Sequence, residues 1–396
     1  MVAGVALGLA APGFAGTAAV SLVGTAFLRL IRSIVAPLIF GTLVAGIAGA
    51  GSVRAMGRIG LKALVYFEVV TTLALLIGLA AVNMVRPGEG VHLHRSAEEV
   101  ALPAARSDVS TVIEHTVPAS IVDAMARGEV LQIVVFSFLF GAACAAVGAK
   151  SKPVVEFCGA LAEVMFRYTN YVMYFAPVGV AAAMAYAVGS KGAAVLWNLG
   201  QLILTLYGAL VVFVAGVLGV VLLVARIPMR RFVTAVREPF LIAFSTATSE
   251  AALPRALENM ETFGVPRHIV AFVIPAGYSF NLDGSTLYLS LAALFVAQAA
   301  GVHLSFSQQL AVLLTLMLTS KGVGGVRGAA IVVLGGTLAT FGLPLEGVAV
   351  LLGVDTLMDM ARASVNVLGN CLACAVVARW EGVDFAVTPG ARTSPE

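Results

Sequence analysis

The sequence predicts an all-α polytopic membrane protein, and three observations lead to that prediction. The chain of 396 residues is 60% hydrophobic and 11% charged, whereas soluble domains carry about 25% charged residues. Apolar runs long enough to cross a bilayer recur along the chain. Two further apolar stretches are interrupted by polar or glycine-rich tips. This composition excludes a disordered chain, a nucleic-acid-binding protein and a soluble α/β enzyme.

Apolar runs in the first half predict successive spanning helices, because backbone groups in hydrocarbon must be hydrogen-bonded within their own segment. The N-terminal run is short for a span, so either the first helix extends to about Gly16 or its start is trimmed. The later runs are Ile34–Gly51, Ala63–Val85, Val130–Gly148, Val154–Val188 and Ala193–Ala225. The polar segment Arg86–Glu129 is expected to form an extramembrane loop.

Basic residues between the runs predict the orientation of the chain, since cytoplasmic loops carry an excess of Lys and Arg. If the spans alternate, the basic residues of three connections fall on one side and the polar loop on the other. These residues are Arg54, Arg58, Lys62, Lys150, Lys152, Arg226, Arg230, Arg231 and Arg237. The pattern indicates a cytoplasmic N-terminus.

Two interrupted segments follow the last of these basic residues. The apolar stretch Pro239–Ser249 has eleven residues, too few to cross the bilayer. It ends in a Ser/Thr-rich tip, and a second arm starts at Leu253. The second pair consists of Leu304–Ser320, the glycine-rich tip Lys321–Gly328 and Ala329–Leu345. Both predict re-entrant hairpins, and paired broken segments are the best sequence pointer to a transporter site.

Turn-forming residues interrupt the long apolar helix between the hairpins. Tyr278–Ser285 contains Asn281, Asp283 and Gly284, which favour turns over a helix interior. We expect an unwound stretch here, with free carbonyls and half-helix ends facing a cavity. Asn281, Asp283 and nearby carbonyls offer oxygen ligands for a hard cation or a proton.

The last predicted span carries a polar stripe. Its members are offset by 0, 4, 7, 11 and 15 residues, which at ~100° per residue places them within an arc of about 80°. They are Asp355, Asp359, Arg362, Asn366 and Asn370. Ionisable groups inside a membrane cost at least ~2.5–3.5 kcal/mol each, so they face a partner or a cavity. The alternative interpretation is a structural ion pair between Asp359 and Arg362.

The stripe and the first tip suit an acidic amino acid. Arg362 presents a fork that matches a carboxylate, Asp359 suits an ammonium, and Asn366 can bind a second carboxylate. Thr248 and Ser249 at the first tip offer hydroxyls and backbone N–H groups at a half-helix end, which favours an anion.

Four motifs resemble those of the dicarboxylate/amino acid:cation symporter family, the glutamate transporter family. They are Phe244–Pro254, Pro275–Gly284, Thr319–Gly322 and Asp359–Asn370. The chain looks most like the bacterial proton-coupled glutamate/aspartate branch, with four-carbon dicarboxylate carriers as neighbours. The resemblance implies eight transmembrane helices, two re-entrant hairpins and a homotrimer in the inner membrane, with both termini cytoplasmic.

The resemblance also implies an elevator, in which a transport core slides past a fixed scaffold. Residues 1–230 would hold helices 1 to 6, of which helices 1, 2, 4 and 5 form the scaffold and helices 3 and 6 belong to the core. Residues 231–382 would hold hairpin 1, helix 7, hairpin 2 and helix 8. Residues 383–396 would form a cytoplasmic tail.

The same resemblance implies roles for individual residues. Arg362 would hold the side-chain carboxylate of the substrate and Asp359 its amino group. Asn366 and Ser249 would hold its main carboxylate, with Ser285 assisting, and Thr248 would be a further substrate-binding residue. The second hairpin would be the extracellular gate. The gate residues at the substrate are Val326 and Gly328. The cation-coupling residues are Gly277, Ser279, Asn281, Asp283 and Asn370, and no cofactor or certain metal site is implied.

Departures from the family pattern leave alternatives open. Asn370 replaces an aspartate of sodium-coupled relatives, which favours protons over sodium as the coupling ion. Ala363 replaces a threonine of amino-acid carriers, whereas dicarboxylate carriers lack an acidic residue at the position of Asp359. The prediction is therefore a proton-coupled L-glutamate/L-aspartate symporter. A four-carbon dicarboxylate:cation symporter and a sodium-coupled aspartate symporter are the alternatives. The candidate proton carriers are Asp283, Asp359, Glu68 and Glu250.

An intramembrane hydrolase and an ion channel are the competing classes. A nucleophile at Ser249 would need a histidine, and the nearest in sequence, His268, comes without a nucleophile-elbow motif. A channel filter would need a repeated ring of carbonyls or charges. We expect a carrier and no enzyme, with an acidic amino acid, the lipid bilayer and two further copies of the chain as its partners.

Overall fold

The computed structural model describes residues 2–49, 53–91, 119–127, 130–191, 194–321 and 329–385. Within these ranges the chain consists of helices and their connections, with no strand. The predicted helical class is confirmed.

The described residues of the first half form a series of α-helices. They are α1 (Val2–Ala10), α2 (Pro12–Ala15), α3 (Ala18–Gly49), α4 (Val53–Val85), α5 (Ile121–Arg127), α6 (Val130–Val147), α7 (Lys152–Tyr174), α8 (Ala176–Lys191), α9 (Ala194–Phe213) and α10 (Gly219–Val224). A π-helical turn over Val214–Leu218 joins α9 to α10. The described part of the predicted run Ala193–Ala225 therefore forms one continuous helical segment, from Ala194 to Val224.

Several boundaries of the first half differ from the prediction, among them the start of α4 at Val53, where the uncharged run begins only at Ala63. α3 starts at Ala18, well before the expected Ile34, because a helix can continue through charged residues that end an uncharged run. The run Val154–Val188 is two helices, interrupted at Phe175. Pro177 lies in the first turn of the second helix, where a missing N–H leaves no helical hydrogen bond unmade. The first helix ends at Ala10, and a separate turn of helix follows it.

The second half supplies both interrupted pairs. Its helices are α11 (Met229–Thr246), α12 (Leu253–Phe263), α13 (Arg267–Phe280), α14 (Asp283–Ala299), α15 (Phe306–Thr319), α16 (Ala329–Thr340), α17 (Glu346–Leu352) and α18 (Asp355–Trp380). α11 packs against α12, and α15 packs against α16. At the first tip Ala247 adopts a left-handed conformation, with φ 52° and ψ 36°, which ends α11. Both hairpins thus exist as helix pairs, and whether they re-enter the membrane remains a prediction.

Helix α18 lies in the interior of the fold. It packs against α4, α9, α11, α13 and α14, while α3 packs against α6, α7 and α8 elsewhere in the molecule. In the apolar 18-residue stretches of Arg267–Ala299 and Asp355–Trp380, 89% and 83% of the residues are buried. In the corresponding stretch of Val135–Tyr168 the buried share is 17%. The former segments are enclosed by protein, and the latter presents apolar side chains outward, as lipid contact requires.

Length and composition identify a multi-pass membrane protein. Five helical segments among the described residues are long and apolar enough to cross a bilayer. They are Arg58–Val85, Val135–Tyr168, Leu196–Val224, Arg267–Ala299 and Asp355–Trp380. Eight transmembrane helices, the division into scaffold and core, and the orientation of the termini remain predictions.

Candidate functional site

The polar stripe of α18 is buried along its whole length. The exposed fractions are 7% for Asp355, 8% for Asp359, 1% for Arg362, 3% for Asn366 and 0% for Asn370. The stripe faces the broken helix α13–α14 and the first hairpin, which pack against α18. The structure therefore brings together the residues that the spacing predicted.

Arg362 is held between two carboxylates of its own helix. Its Nε donates to Asp359 Oδ1 at 2.8 Å, and its Nη1 lies 3.0 Å from Asp355 Oδ1. The guanidinium carbon lies 4.3 Å from the centroid of the Tyr288 ring on α14, within the range of a cation–π contact. With both carboxylates ionised, the two aspartates and the arginine carry one net negative charge.

Two of these contacts were missed by reasoning from the sequence. Asp355 lies on the predicted stripe, seven residues before Arg362 and thus on the same helix face, but no role was assigned to it. Tyr288 lies on a different helix, and no local pattern links it to Arg362. The ion pair of Asp359 and Arg362, the alternative interpretation of the stripe, is present and is part of this site.

Asn366 caps the second half of the broken helix. Its Oδ1 accepts hydrogen bonds from the backbone N–H groups of Gly284, at 2.8 Å, and Ser285, at 3.2 Å. Its Nδ2 donates to Ser285 Oγ at 3.0 Å. Asn366 and Ser285, both predicted to bind a carboxylate of the substrate, are therefore in contact at the N-terminus of α14. The partial positive charge of the helix dipole favours an anion there.

The tip of the first hairpin reaches the same region. Ser249 is 2% exposed, and its Oγ donates to the carbonyl of Ala363, beside Arg362, at 3.4 Å. The Tyr278 hydroxyl of α13 donates to the Ser249 carbonyl at 2.9 Å. Thr248 lies next to it in the tip, half-buried. The tip is thus attached to both α13 and α18.

The predicted unwound stretch is confirmed between Phe280 and Asp283. Asn281 Nδ2 donates to Asp283 Oδ2 at 3.1 Å and to Asn370 Oδ1 at 3.0 Å. All three of these polar residues are fully buried. A Cβ on Gly277 would lie 2.3 Å from Asn370 Oδ1, so this close approach of α13 to α18 requires glycine.

Some polar atoms of this cluster have no hydrogen-bond partner among the described residues. They are Asn281 Oδ1, Asp283 Oδ1 and Asn370 Nδ2. Buried polar groups are normally paired, so the two unpartnered acceptor oxygens, one of which belongs to the Asp283 carboxylate, fit a small cation or a proton. Within the described ranges no group of three or more His, Cys, Asp or Glu side chains forms a metal site.

The remaining predicted residues are distributed as follows. Val326 and Gly328 lie outside the described residues, and so does the side chain of Ser279. Glu250 is exposed at the first tip. The Glu68 side chain on α4 is 53% exposed and forms an ion pair with Lys321. Of the four candidate proton carriers, only Asp283 and Asp359 are buried.

Comparison with known proteins gives a consistent picture. A profile described as the sodium:dicarboxylate symporter family matches residues 1–380. The proton/sodium-glutamate symport protein of Geobacillus stearothermophilus is 43% identical over 368 residues, 91% of this chain and 87% of that protein. The proton/glutamate-aspartate symporter of Escherichia coli K12 is 43% identical over 369 residues, with 90% and 84% covered. The C4-dicarboxylate transport protein of Pseudomonas fluorescens is 44% identical over 364 residues, with 90% and 82% covered.

Proposed function

Because the chain belongs to the sodium:dicarboxylate symporter family, we propose that it is a secondary symporter for L-aspartate and L-glutamate. The observation that carries this proposal is the buried Arg362 between Asp355 and Asp359. The similar proteins are named as transporters of glutamate, of glutamate and aspartate, or of C4-dicarboxylates. The charges of the site favour one substrate class and one coupling ion.

The charge balance at Arg362 favours an amino acid over a dicarboxylate. A substrate carboxylate that binds Arg362 would displace Asp359 from the guanidinium, which leaves the Asp359 carboxylate buried and unpaired. Such a group is costly unless a new partner compensates it. The ammonium of aspartate or glutamate is that partner, whereas succinate offers none.

The main carboxylate of the substrate has a separate set of donors. The Ser285 hydroxyl and the Asn366 Nδ2 group meet at the start of α14, where the helix dipole favours an anion. Ser249 and Thr248 add hydroxyls from the first tip. Two carboxylate positions and one ammonium position describe an acidic amino acid.

We propose protons as the coupling ion and Asp283 as the carrier. The cluster around Asp283 contains one carboxylate and two neutral amides, so one proton neutralises it. On Asp283 Oδ1, which has no hydrogen-bond partner among the described residues, that proton would also turn an acceptor into a donor. A sodium ion at the same oxygens is the alternative. The homotrimer, the elevator motion and the inner-membrane location belong to the same proposal.

Uptake of radiolabelled L-aspartate into proteoliposomes tests the proposal, with an imposed pH gradient or an imposed sodium gradient. We expect uptake driven by the pH gradient alone and blocked by unlabelled glutamate. Uptake that needs sodium would transfer the coupling role to that ion. Blockade by succinate and not by glutamate would assign the protein to the dicarboxylate carriers.

Arg362→Ala provides the test of the site itself. Loss of a buried, hydrogen-bonded charge costs about 2–5 kcal/mol, so we expect uptake at subsaturating aspartate to fall at least ~30-fold. Arg379→Ala is the matched control, because Arg379 lies on the same helix and pairs with the exposed Asp384 at 3.0 Å. Equal aspartate affinity in the Arg362 variant and the wild type would refute the assignment.

A further inference from the structure

A lysine lies beside the broken helix, outside the substrate positions described above. Lys321 follows the end of α15, and its side chain is 13% exposed. Its Nζ donates to the carbonyl of Phe280, the last residue of α13, at 3.1 Å. The same Nζ lies 3.3 Å from Glu68 Oε1 on α4. One ammonium therefore connects the second hairpin to two other elements.

The surroundings of this ammonium are those of a cation site. The C-terminal end of a half-helix carries a partial negative charge, and the unwound carbonyls there are typical ligands of small cations. Asp283, the first residue of the next half-helix, lies three residues beyond Phe280 in the chain and is fully buried.

A charge count follows from these neighbours. With Asp283 and Glu68 ionised and Lys321 protonated, the group carries one net negative charge. One external monovalent cation, proton or alkali ion, then neutralises it. Without the Lys321 charge the group would carry two negative charges and would require two external cations.

We propose that Lys321 is a built-in cation that limits the number of external cations needed at the broken helix. Its ammonium takes the place of an alkali ion at the Phe280 carbonyl, and Glu68 is the positioning residue that holds it there. This inference rests on the proposed function as a cation-coupled symporter. It goes further by stating that the side chain of Lys321, at the second hairpin, sets how many external cations the broken helix needs.

Removal of the charge tests this role without removing the hydrogen bond. Lys321→Gln keeps an N–H donor for the Phe280 carbonyl and deletes the positive charge. We expect aspartate to raise the thermal unfolding midpoint of the purified wild-type protein equally in choline chloride and in sodium chloride. In the Lys321→Gln variant the aspartate concentration for half-maximal stabilisation should rise at least ~10-fold in choline and return toward the wild-type value in sodium or methylammonium.

A second substitution separates charge from structure. Glu68→Gln in the Lys321→Gln background restores one net negative charge, so the added requirement for sodium or methylammonium should disappear. Lys321→Arg, which keeps the charge, should behave as the wild type does. The matched control is Lys152→Gln, because Lys152 forms an exposed pair with Glu156 at 3.6 Å and should show no cation dependence.

Two results would overturn the inference. One is a Lys321→Gln variant whose aspartate response equals that of the wild type in choline. The other is a loss that neither monovalent cations nor Glu68→Gln relieves while Lys321→Arg remains active. Wild-type proteoliposomes that take up no aspartate under either imposed gradient would instead refute the proposed function, so the two failures are distinguishable.

Discussion

At the scale of single residues, two aspartates with different tasks share one arginine. Asp355 and Asp359 are both buried and both contact the guanidinium of Arg362. In the proposed function, Asp359 releases the guanidinium when a substrate carboxylate binds and pairs with the substrate ammonium instead. Asp355 then remains as the permanent counter-charge, so that Arg362 is never buried without a partner.

Asp359→Asn should therefore change selectivity more than fold. Without the carboxylate the ammonium of aspartate loses its partner, whereas succinate no longer leaves a buried carboxylate unpaired. We expect the ratio of aspartate affinity to succinate affinity to fall at least ~10-fold, about 1.4 kcal/mol. Competition of both ligands against radiolabelled substrate measures this ratio. In Asp355→Asn, the comparison variant, both affinities should change together, and an unaltered ratio in Asp359→Asn would count against the ammonium site.

At the scale of secondary structure, the broken helix α13–α14 fits against α18 only through glycines. A Cβ on Gly284 would lie 2.4 Å from the backbone oxygen of Arg362, and a Cβ on Gly369 would lie 2.2 Å from Asp283 Oδ2. Contacts below 3.0 Å are essentially never found for real Cβ atoms. The close contact of these helices therefore sets the position of Arg362 and of the polar cluster formed by Asn281, Asp283 and Asn370.

Gly284→Ala should destabilise the protein, because the obstructing atoms belong to the α18 backbone and cannot move without moving Arg362. Overpacking of this kind costs ~1–3 kcal/mol or more, so the thermal midpoint should fall by several degrees and aspartate binding should weaken. Gly208→Ala on α9 is the control, since no atom lies within 4 Å of a Cβ there and alanine favours a helix by up to ~1 kcal/mol. Equal midpoints for the two variants would contradict the close-packing argument.

The helix pairs, the break and the polar stripe were predictable because each leaves a local signal. Short apolar arms, the turn residues Asn281 to Gly284, and the helical spacing of the stripe all lie within one stretch of sequence. Helix starts were less predictable, since the helix carrying Arg29 and Arg32 continues through charges. The contact of Lys321 with Glu68 joins residues far apart in the chain, and only the packing of α4 brings them together.

At the scale of the whole molecule, two of the polar contacts that attach α4 to the interior bear on how the helix would move. One is the contact of Glu68 with Lys321, and α4 also packs along α14 and α18. The other is Glu381, just beyond the end of α18, which accepts hydrogen bonds from Arg58 at 3.0 Å and Lys62 at 2.7 Å. If α4 is the predicted third spanning helix, we expect it to move together with α18 in the proposed elevator, because these contacts would otherwise break.

The Glu381 attachment should make stability depend on pH in the acidic range. Hydrogen bonds from Arg58 and then Lys62 hold the pKa of the Glu381 carboxyl below its ordinary value. The stabilisation is therefore present above the pKa of the unfolded chain, about 4.3 for glutamate, and is lost as the pH falls through the lower pKa of the folded state. Glu381→Gln should lower the thermal midpoint at pH 7 and reduce its further decline on acidification.

Thermal unfolding at pH 7 and at a series of values below pH 5 measures both effects. The appropriate control is Glu258→Gln, which removes an exposed carboxylate that pairs with Arg255 at 2.8 Å within one helix and should leave the acid dependence as in the wild type. An acid decline of equal size in the wild type and in Glu381→Gln would show that the contact is not maintained in solution. The attachment of α4 to the end of α18 would then have to rest on apolar packing and on the hydrogen bond from Lys62 Nζ to the Trp380 carbonyl, at 2.6 Å.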